Sequence, residues 1–156
     1  MPGPPKVDGT TSGTVEIKRI FDGNGGSDPQ ELTAFGNGFV FRAYDDDHGW
    51  ELWRSDGTAS GTVLVKDIQP GGDGSYPNGL VVAGSYVYFA ADDGEHGNEL
   101  WRSDGTAAGT TLVADIDPGA DGSSIGSMVA LGSAVLFSAD DGTDGEELWR
   151  ADPGGA

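Results

Sequence analysis

Short runs with alternating apolar positions predict β-strands along most of this chain. The clearest run is Tyr86–Asp92. Its positions Val87, Phe89 and Ala91 share one face, as expected for a strand, in which successive side chains point to opposite sides. The other face carries Tyr88, so this strand has apolar or aromatic residues on both sides. We therefore predict sheets that are covered on both faces.

This pattern recurs with a period of 48 residues, which is marked by Trp53, Trp101 and Trp149. The segment Glu51–Ala59 is repeated letter for letter as Glu99–Ala107. Each period predicts four short strands. In the second period these are Leu80–Ala83, Tyr86–Asp92, Glu99–Arg102 and Thr110–Ile116.

The Asp-Gly pairs between the third and fourth strands predict hairpin turns. Asp8, Asp56 and Asp104 are expected to form Asx turns there, helped by the hydroxyl of the threonine two residues on. Gly109 lies within the second such connection, which indicates a turn longer than two residues.

A four-stranded antiparallel sheet covered on both faces is the blade of a β-propeller, whose repeats are about 40–50 residues long. We predict an all-β propeller fold with four-stranded blades and three 48-residue repeats per chain. A β-solenoid is the structural alternative, although its coils are usually much shorter. The predicted divisions are a lead-in at 1–13, a three-blade unit at 14–152 with repeats at approximately 14–61, 62–109 and 110–152, and a tail at 153–156.

The order of the strands predicts how the ring closes. Thr14–Ile20 matches the fourth strand of the later repeats, and the last repeat stops after its third strand, Glu147–Arg150. We therefore expect the N-terminal strand to complete the last blade. Because propellers have roughly four to eight blades, we expect a homodimer that closes a six-bladed ring, each chain completing the other's last blade. The alternative is that this chain is a fragment of a longer protein.

Composition restricts the function classes further. Glycine occupies 28 positions, which excludes a helical protein, and no apolar stretch is long enough for a membrane helix. The formal net charge of −18 argues against a nucleic-acid partner. There is no cysteine, so disulfides and thiolate chemistry are absent. The first residues lack the apolar region of a signal peptide.

The segments Glu51–Thr58 and Glu99–Thr106 resemble the bacterial ELWxxDGT repeat. The resemblance extends to Asp67–Gly71 and Asp115–Gly119, which share the pattern Asp-Ile-x-Pro-Gly. It implies propeller-like modules of large secreted or surface-attached bacterial proteins, generally without an assigned catalytic function. It therefore implies an extracellular or cell-surface location. The third repeat departs from the motif after Arg150, where the Asp-Gly-Thr turn is lost.

Two columns are acidic in all three repeats: Asp45, Asp93 and Asp141, and Glu51, Glu99 and Glu147. They flank the loop between the second and third strands, so the hairpin is expected to bring each Asp near its Glu. Hard oxygen ligands in a glycine-rich loop suit Ca²⁺, and we name these six residues as candidate calcium ligands. The alternative is a solvated acidic loop, and no loop matches the EF-hand pattern.

Aromatic and histidine positions supply a second candidate site. Trp50 lies outside the tryptophan column, next to His48, and is the aromatic residue that we expect to be exposed. His96 occupies the position of His48 in the second repeat. We name Trp50, His48 and His96 as candidate ligand-binding residues for a carbohydrate. The column tryptophans are expected to pack between blades instead.

No serine-elbow or HExxH motif accompanies these histidines, so we predict no enzyme. The predicted function is a noncatalytic binding or scaffolding module, stabilised by calcium if the acidic loops bind it. A lectin-like carbohydrate-binding propeller is the first alternative, and a glycoside hydrolase or lyase is the second. A carbohydrate or a surface protein is the expected class of ligand.

Overall fold

The computed structural model describes residues 12–154 and confirms that the chain is all-β. Eleven strands lie in this part of the chain, and no helix does. Residues 1–11 of the predicted lead-in, including Asp8, lie outside the described residues, as do residues 155–156 of the tail.

The strands form three antiparallel sheets, at residues 30–66, 78–114 and 128–151, so the fourth strand of each complete sheet lies beyond the predicted end of its repeat. The first sheet consists of β1 (Gln30–Phe35), β2 (Gly38–Asp45), β3 (Gly49–Ser55) and β4 (Val63–Lys66). The second consists of β5 (Asn78–Ala83), β6 (Tyr86–Asp92), β7 (Asn98–Ser103) and β8 (Thr111–Ala114). The third consists of β9 (Met128–Leu131), β10 (Ala134–Asp140) and β11 (Glu146–Ala151).

The strands of the second sheet follow the sequence prediction to within a few residues, and the sheet order is that of the chain. The connection between β7 and β8 covers residues 104–110 and is longer than a two-residue turn, as Gly109 indicated. Sequence periodicity therefore located the strands of this second sheet correctly.

The repeated aromatic columns face each other across neighbouring strands. The directly opposed pairs are Phe41 and Trp53, Phe89 and Trp101, and Phe137 and Trp149. Cross-strand pairs of this kind stabilise an antiparallel sheet. The 48-residue period therefore preserves the pairing register of β2 with β3, β6 with β7, and β10 with β11.

The sheets pack face to face. One apolar cluster joins the first two sheets, where Val40 and Leu52 pack with Phe89 and Trp101. A second joins the next two, where Tyr88 and Leu100 pack with Val135 and Phe137. The second sheet is therefore covered on both faces, as its sequence predicts.

The first strands of consecutive sheets also contact each other: β1 contacts β5, and β5 contacts β9. No comparable contact joins β4 to β8 among the described strands. The sheets consequently approach most closely at their first strands.

The segment Thr14–Ile20 does not form a strand in the single chain, and the third sheet has three strands. Instead, the segment lies against the first sheet, where the Lys18 amino group donates a hydrogen bond of 2.7 Å to the Thr62 carbonyl oxygen. Ile20 packs beside Phe41 and Trp53. Within one chain, the last sheet is thus not completed by the N-terminal segment.

Candidate functional site

Two of the six predicted metal ligands hold the loop that leads from one sheet to the next. The Glu51 carboxylate accepts hydrogen bonds from the Gln69 amide (2.9 Å), the Ser75 amide (3.1 Å) and the Ser75 hydroxyl (2.6 Å). Glu99 accepts bonds from the amides of Ile116 and Asp117 (both 3.1 Å) and from the Ser123 hydroxyl (2.7 Å). Both carboxylates are fully buried.

Burial raises the pKa of Glu51 to about 7, although the Ser75 hydroxyl and the backbone amides of Gln69, Ile68 and Ser75 pull it down. A buried carboxylate is tolerated here because its oxygens face hydrogen-bond donors. Glu51 and Glu99 thus act as internal anchors, each fastening a loop to its own sheet.

Glu147, the third member of this column, is exposed, and no described hydrogen bond reaches its carboxylate. In the first two repeats, the donors lie 17 to 24 residues beyond the glutamate. Counted from Glu147, equivalent positions fall after Ala156 and outside the printed sequence. The three glutamates therefore share a sequence position but differ in their contacts.

The aspartate column caps its own loops. The Asp45 carboxylate accepts hydrogen bonds from the amides of Asp47 (3.1 Å) and His48 (2.7 Å). Asp93 accepts the corresponding bonds in the second loop, from Glu95 and His96. In the third loop, Asp141 accepts them from residues 143 and 144. This column therefore has a defined structural role in loop geometry.

The two candidate histidines pair with these aspartates. His48 Nδ1 lies 2.9 Å from the Asp45 carboxylate, and His96 Nδ1 lies 2.7 Å from that of Asp93. The hydrogen bond to the carboxylate of the paired aspartate raises the pKa of each histidine. Each histidine is thus held against an aspartate of its own loop.

The two acidic columns have different hydrogen-bond partners. The aspartates accept hydrogen bonds from amides of their own loop, whereas Glu51 and Glu99 accept them from amides of the loop that leads to the next sheet. Among residues 12–154, no group of three or more His, Asp or Glu side chains is arranged to hold a metal ion. Calcium binding at these loops stays a prediction.

Trp50 belongs to an aromatic cluster in the first repeat. It is half-buried, stacks on Tyr76 with ring centroids 6.3 Å apart, and lies 5.8 Å from the Tyr44 ring. The Arg42 guanidinium lies 5.3 Å from the Trp50 ring centroid, in a cation–π arrangement. Phe21 meets Tyr44 edge to face at 5.4 Å.

Tyr76, which the sequence analysis did not single out, is the more exposed ring, at 50%. Its backbone has a φ of 50°, a left-handed conformation that is uncommon for a bulky residue. Asp28 and Ser124 occupy the same repeat position with similar φ values, 40° and 51°. A comparison of equivalent positions in the three repeats could have identified this cluster. The position of Trp50 is occupied by Asn98 and Glu146 in the other repeats, so the aromatic residue is particular to the first.

The Asp-Gly turns have the predicted Asx geometry. Asp56 accepts hydrogen bonds from the Thr58 amide (2.9 Å) and hydroxyl (2.6 Å), and the Gly61 amide donates to the same hydroxyl (2.9 Å). Asp104 and Thr106 repeat this arrangement at the same distances from amide and hydroxyl. The hydroxyl bond lowers the pKa of both aspartates.

No protein-family model matches this sequence, and searches of curated proteins and of solved structures found no significant similarity. Among residues 12–154 there is also no helix long and apolar enough to span a membrane.

Proposed function

We propose that this chain is a noncatalytic binding or scaffolding module of the β-propeller type, and that two chains together form a six-bladed ring. The observation that carries the proposal is the uncovered face of the third sheet. Leu52 and Leu100 are completely buried by the sheet that follows them, whereas Leu148, at the same repeat position, is 77% exposed. Val129 and Leu131 are exposed on this sheet as well.

The first sheet has the complementary surface. On its outer side, Phe41 and Trp53 are buried beside Ile20, whereas Val15, Ile17 and Leu32 line an apolar groove and are exposed. In the interior of the chain, the equivalent face of the second sheet packs against the preceding sheet. A second copy that places its third sheet here would bury the open face of that sheet and these exposed groove residues, since apolar surface favours removal from water.

The arrangement of the sheets supports a ring over a linear stack. The closest contacts join the first strands β1, β5 and β9, so the sheets converge on one side. Propeller blades converge in this way on a central axis. With three sheets in one chain, twofold pairing of two chains gives six blades, a size within the propeller range.

A noncatalytic role is supported by what the repeated polar residues do. Glu51 and Glu99 bind loop amides, and Asp45 and Asp93 cap loops and pair with histidines. These contacts recur from repeat to repeat, as expected for residues that maintain the blade. An extracellular or surface location and a bacterial source are proposed on the motif resemblance alone.

The ring is tested by measuring the solution mass with multi-angle light scattering over a range of concentrations. A dimer has about twice the chain mass of 16.0 kDa, and the proposal predicts this mass. A monodisperse monomer at every concentration contradicts it.

Carbohydrate binding at the aromatic cluster is a second candidate function. It is favoured by a specific observation: Trp50, Tyr76 and Arg42 come together in the first repeat alone. The corresponding positions in the second repeat are Asn98, Ser124 and Ala90. Exposed aromatic rings of this kind can stack on sugar rings.

The test replaces cluster residues with their counterparts from the second repeat, which suit the same backbone. Trp50→Asn and Tyr76→Ser should abolish binding on a glycan array while leaving the melting temperature within a few degrees of the parent's. Ser124→Tyr is the matched control, because it adds an aromatic residue to the second repeat where no tryptophan lies opposite. Glycan binding that survives both cluster substitutions contradicts this candidate.

A further inference from the structure

Each buried glutamate binds a serine of the loop that follows its sheet. At each end of the described chain, one member of such a pair has no described partner. Glu51 binds the loop ending at Ser75, and Glu99 binds the loop ending at Ser123 through a 2.7 Å bond from the serine hydroxyl. The serines are spaced by 48 residues, and the same spacing leads back to Ser27. Glu147 is thus an anchor without a described loop, and Ser27 belongs to a loop without a described anchor.

The loop at Ser27 already has the geometry of the anchored loops. The Ser27 carbonyl oxygen accepts a hydrogen bond of 2.9 Å from the Tyr44 amide. The carbonyls of Ser75 and Ser123 accept equivalent bonds, of 3.0 and 2.8 Å, from residues 92 and 140. Ser75 and Ser123 are completely buried, whereas Ser27 is only half-buried. Its surroundings therefore lack a covering group that the other two loops have.

Glycine contacts give a second, independent sign of the same gap. Gly49 and Gly74 lie so close that a Cβ on Gly74 would come within 2.1 Å of the Trp50 amide nitrogen. A Cβ on Gly122 would come within 2.2 Å of the Asn98 amide nitrogen beside Gly97. At the ends of the series, a Cβ on Gly26 or on Gly145 would meet nothing within 4 Å.

The N-terminal segment is also placed as a fourth strand would be. Lys18 donates to the Thr62 carbonyl oxygen at 2.7 Å, and Lys66, in β4, donates to the Thr110 carbonyl oxygen at 3.0 Å. The two lysines and their two acceptors are each 48 residues apart. The segment at 14–20 therefore lies on the first sheet much as β4 lies on the second, and no strand among residues 12–154 pairs with it.

We propose that Glu147 of one chain accepts hydrogen bonds from the amides of Ile20 and Phe21 and from the Ser27 hydroxyl of a second copy, and that β11 pairs with residues 15–18 of that copy. The register follows from the pairs Arg54–Val63 and Arg102–Thr111, which predict Arg150 opposite Val15. Gly145 of the first chain then lies against Gly26 of the second. This inference rests on the proposed two-chain ring and specifies its contacts.

The contact satisfies both partners chemically. Glu147 brings a carboxylate, and the loop brings two amides and a hydroxyl, the donor set that already surrounds Glu99 in the second repeat. Hydrogen bonds to a charged group are stronger than hydrogen bonds between neutral groups. These bonds would fix the alignment of the two chains, in addition to the burial of apolar side chains. A twofold dimer contains this junction twice, so β11 of each chain gains a fourth-strand partner and the ring is closed.

The first test compares Glu147→Gln with Glu146→Gln, since both remove one charge from neighbouring exposed positions. Glu147→Gln should weaken dimerisation by at least about tenfold in sedimentation equilibrium, because it loses the charged acceptor, and Glu146→Gln should leave it within about twofold. Ser27→Ala should weaken it too, and combining it with Glu147→Gln should cost less than the sum. If the parent dimerises and the two glutamine variants dimerise equally well, the anchor is refuted while the ring survives. A monomeric parent refutes both.

The second test uses the absence of native cysteine. The double variant Val15→Cys, Arg150→Cys should oxidise to a covalent dimer of about twice 16.0 kDa under denaturing, non-reducing conditions. Either cysteine alone should give a monomer under the same conditions. A double variant that keeps two free thiols, or that forms its disulfide within one chain, overturns the register.

Discussion

Leu100 and Leu148 occupy the same position in consecutive repeats, yet Leu100 is fully buried and Leu148 is 77% exposed. The difference arises because Leu100 packs against Val135 and Phe137 of the third sheet, and no described sheet follows the third. An identical local sequence thus has two environments, decided by its neighbours in space.

Because of this difference in burial, Leu100→Ala and Leu148→Ala should affect different properties, the first the stability of the chain and the second the dimer. Leu100→Ala should lower the free energy of unfolding by about 2–5 kcal/mol, because it removes buried methyl groups and leaves a cavity. Leu148→Ala should instead raise the dimer dissociation constant at least about tenfold, because its burial comes from the second chain. Urea denaturation and sedimentation equilibrium measure the two quantities. Equal dimer affinity for Leu148→Ala and the parent contradicts the prediction.

Glu51 predicts a pH dependence of stability. Its pKa of about 7 in the folded state is above the ordinary value of 4.5, so between these values the folded chain binds a proton that the unfolded chain releases. Stability from this group therefore rises as the pH falls from about 8 toward 5, by no more than about 3 kcal/mol. Urea denaturation at a series of pH values measures the slope.

Glu51→Gln should remove that part of the slope, because glutamine does not titrate. His48 changes stability in the same direction: its pKa is raised, so its contribution is complete below about 6.5 and is lost as the pH rises through the folded value. His48→Asn is therefore the parallel variant that separates the two groups. If Glu51→Gln keeps the full pH slope of the parent, Glu51 does not titrate in this range.

The Asx turns predict equal effects at equivalent threonines. Thr58→Val and Thr106→Val should each lower the free energy of unfolding by about 1–2 kcal/mol, since each hydroxyl donates to an aspartate and accepts from a glycine amide. Thr143→Val is the control, because no described hydrogen bond involves its hydroxyl. Equal stability of Thr143→Val and Thr58→Val contradicts the assignment.

Calcium binding, predicted from the acidic columns, has a direct test. Adding Ca²⁺ after dialysis against a chelator should raise the melting temperature in a concentration-dependent way, since a ligand that binds only the folded state stabilises it. Asp93→Asn should reduce this rise, whereas Asp121→Asn, outside the two columns, should not. Identical melting curves with chelator and with millimolar Ca²⁺ rule out a stabilising site.

The candidate site was predictable only in part. Sequence comparison found the column of Glu51, Glu99 and Glu147, but interpreted it as metal ligands. Two members bind loop amides 17 to 18 residues away and a serine 24 residues away, contacts that depend on how the loop folds back. The 48-residue spacing of the serines was a signal that could have suggested this pairing.

The amino-acid sequence by itself determined the repeat and most of the strands, because alternation and turn chemistry are local properties that recur at every period. The strand predicted at Thr14–Ile20 is the exception, since it does not form in the single chain. The sequence also identified the column tryptophans as packing residues, and Trp53 and Trp101 are buried between or beside the sheets. Tertiary structure alone decided which copies of a repeated residue are buried. A position such as Leu148 or Glu147 gains its environment from the next unit, and contacts between units are not encoded in the local pattern of either.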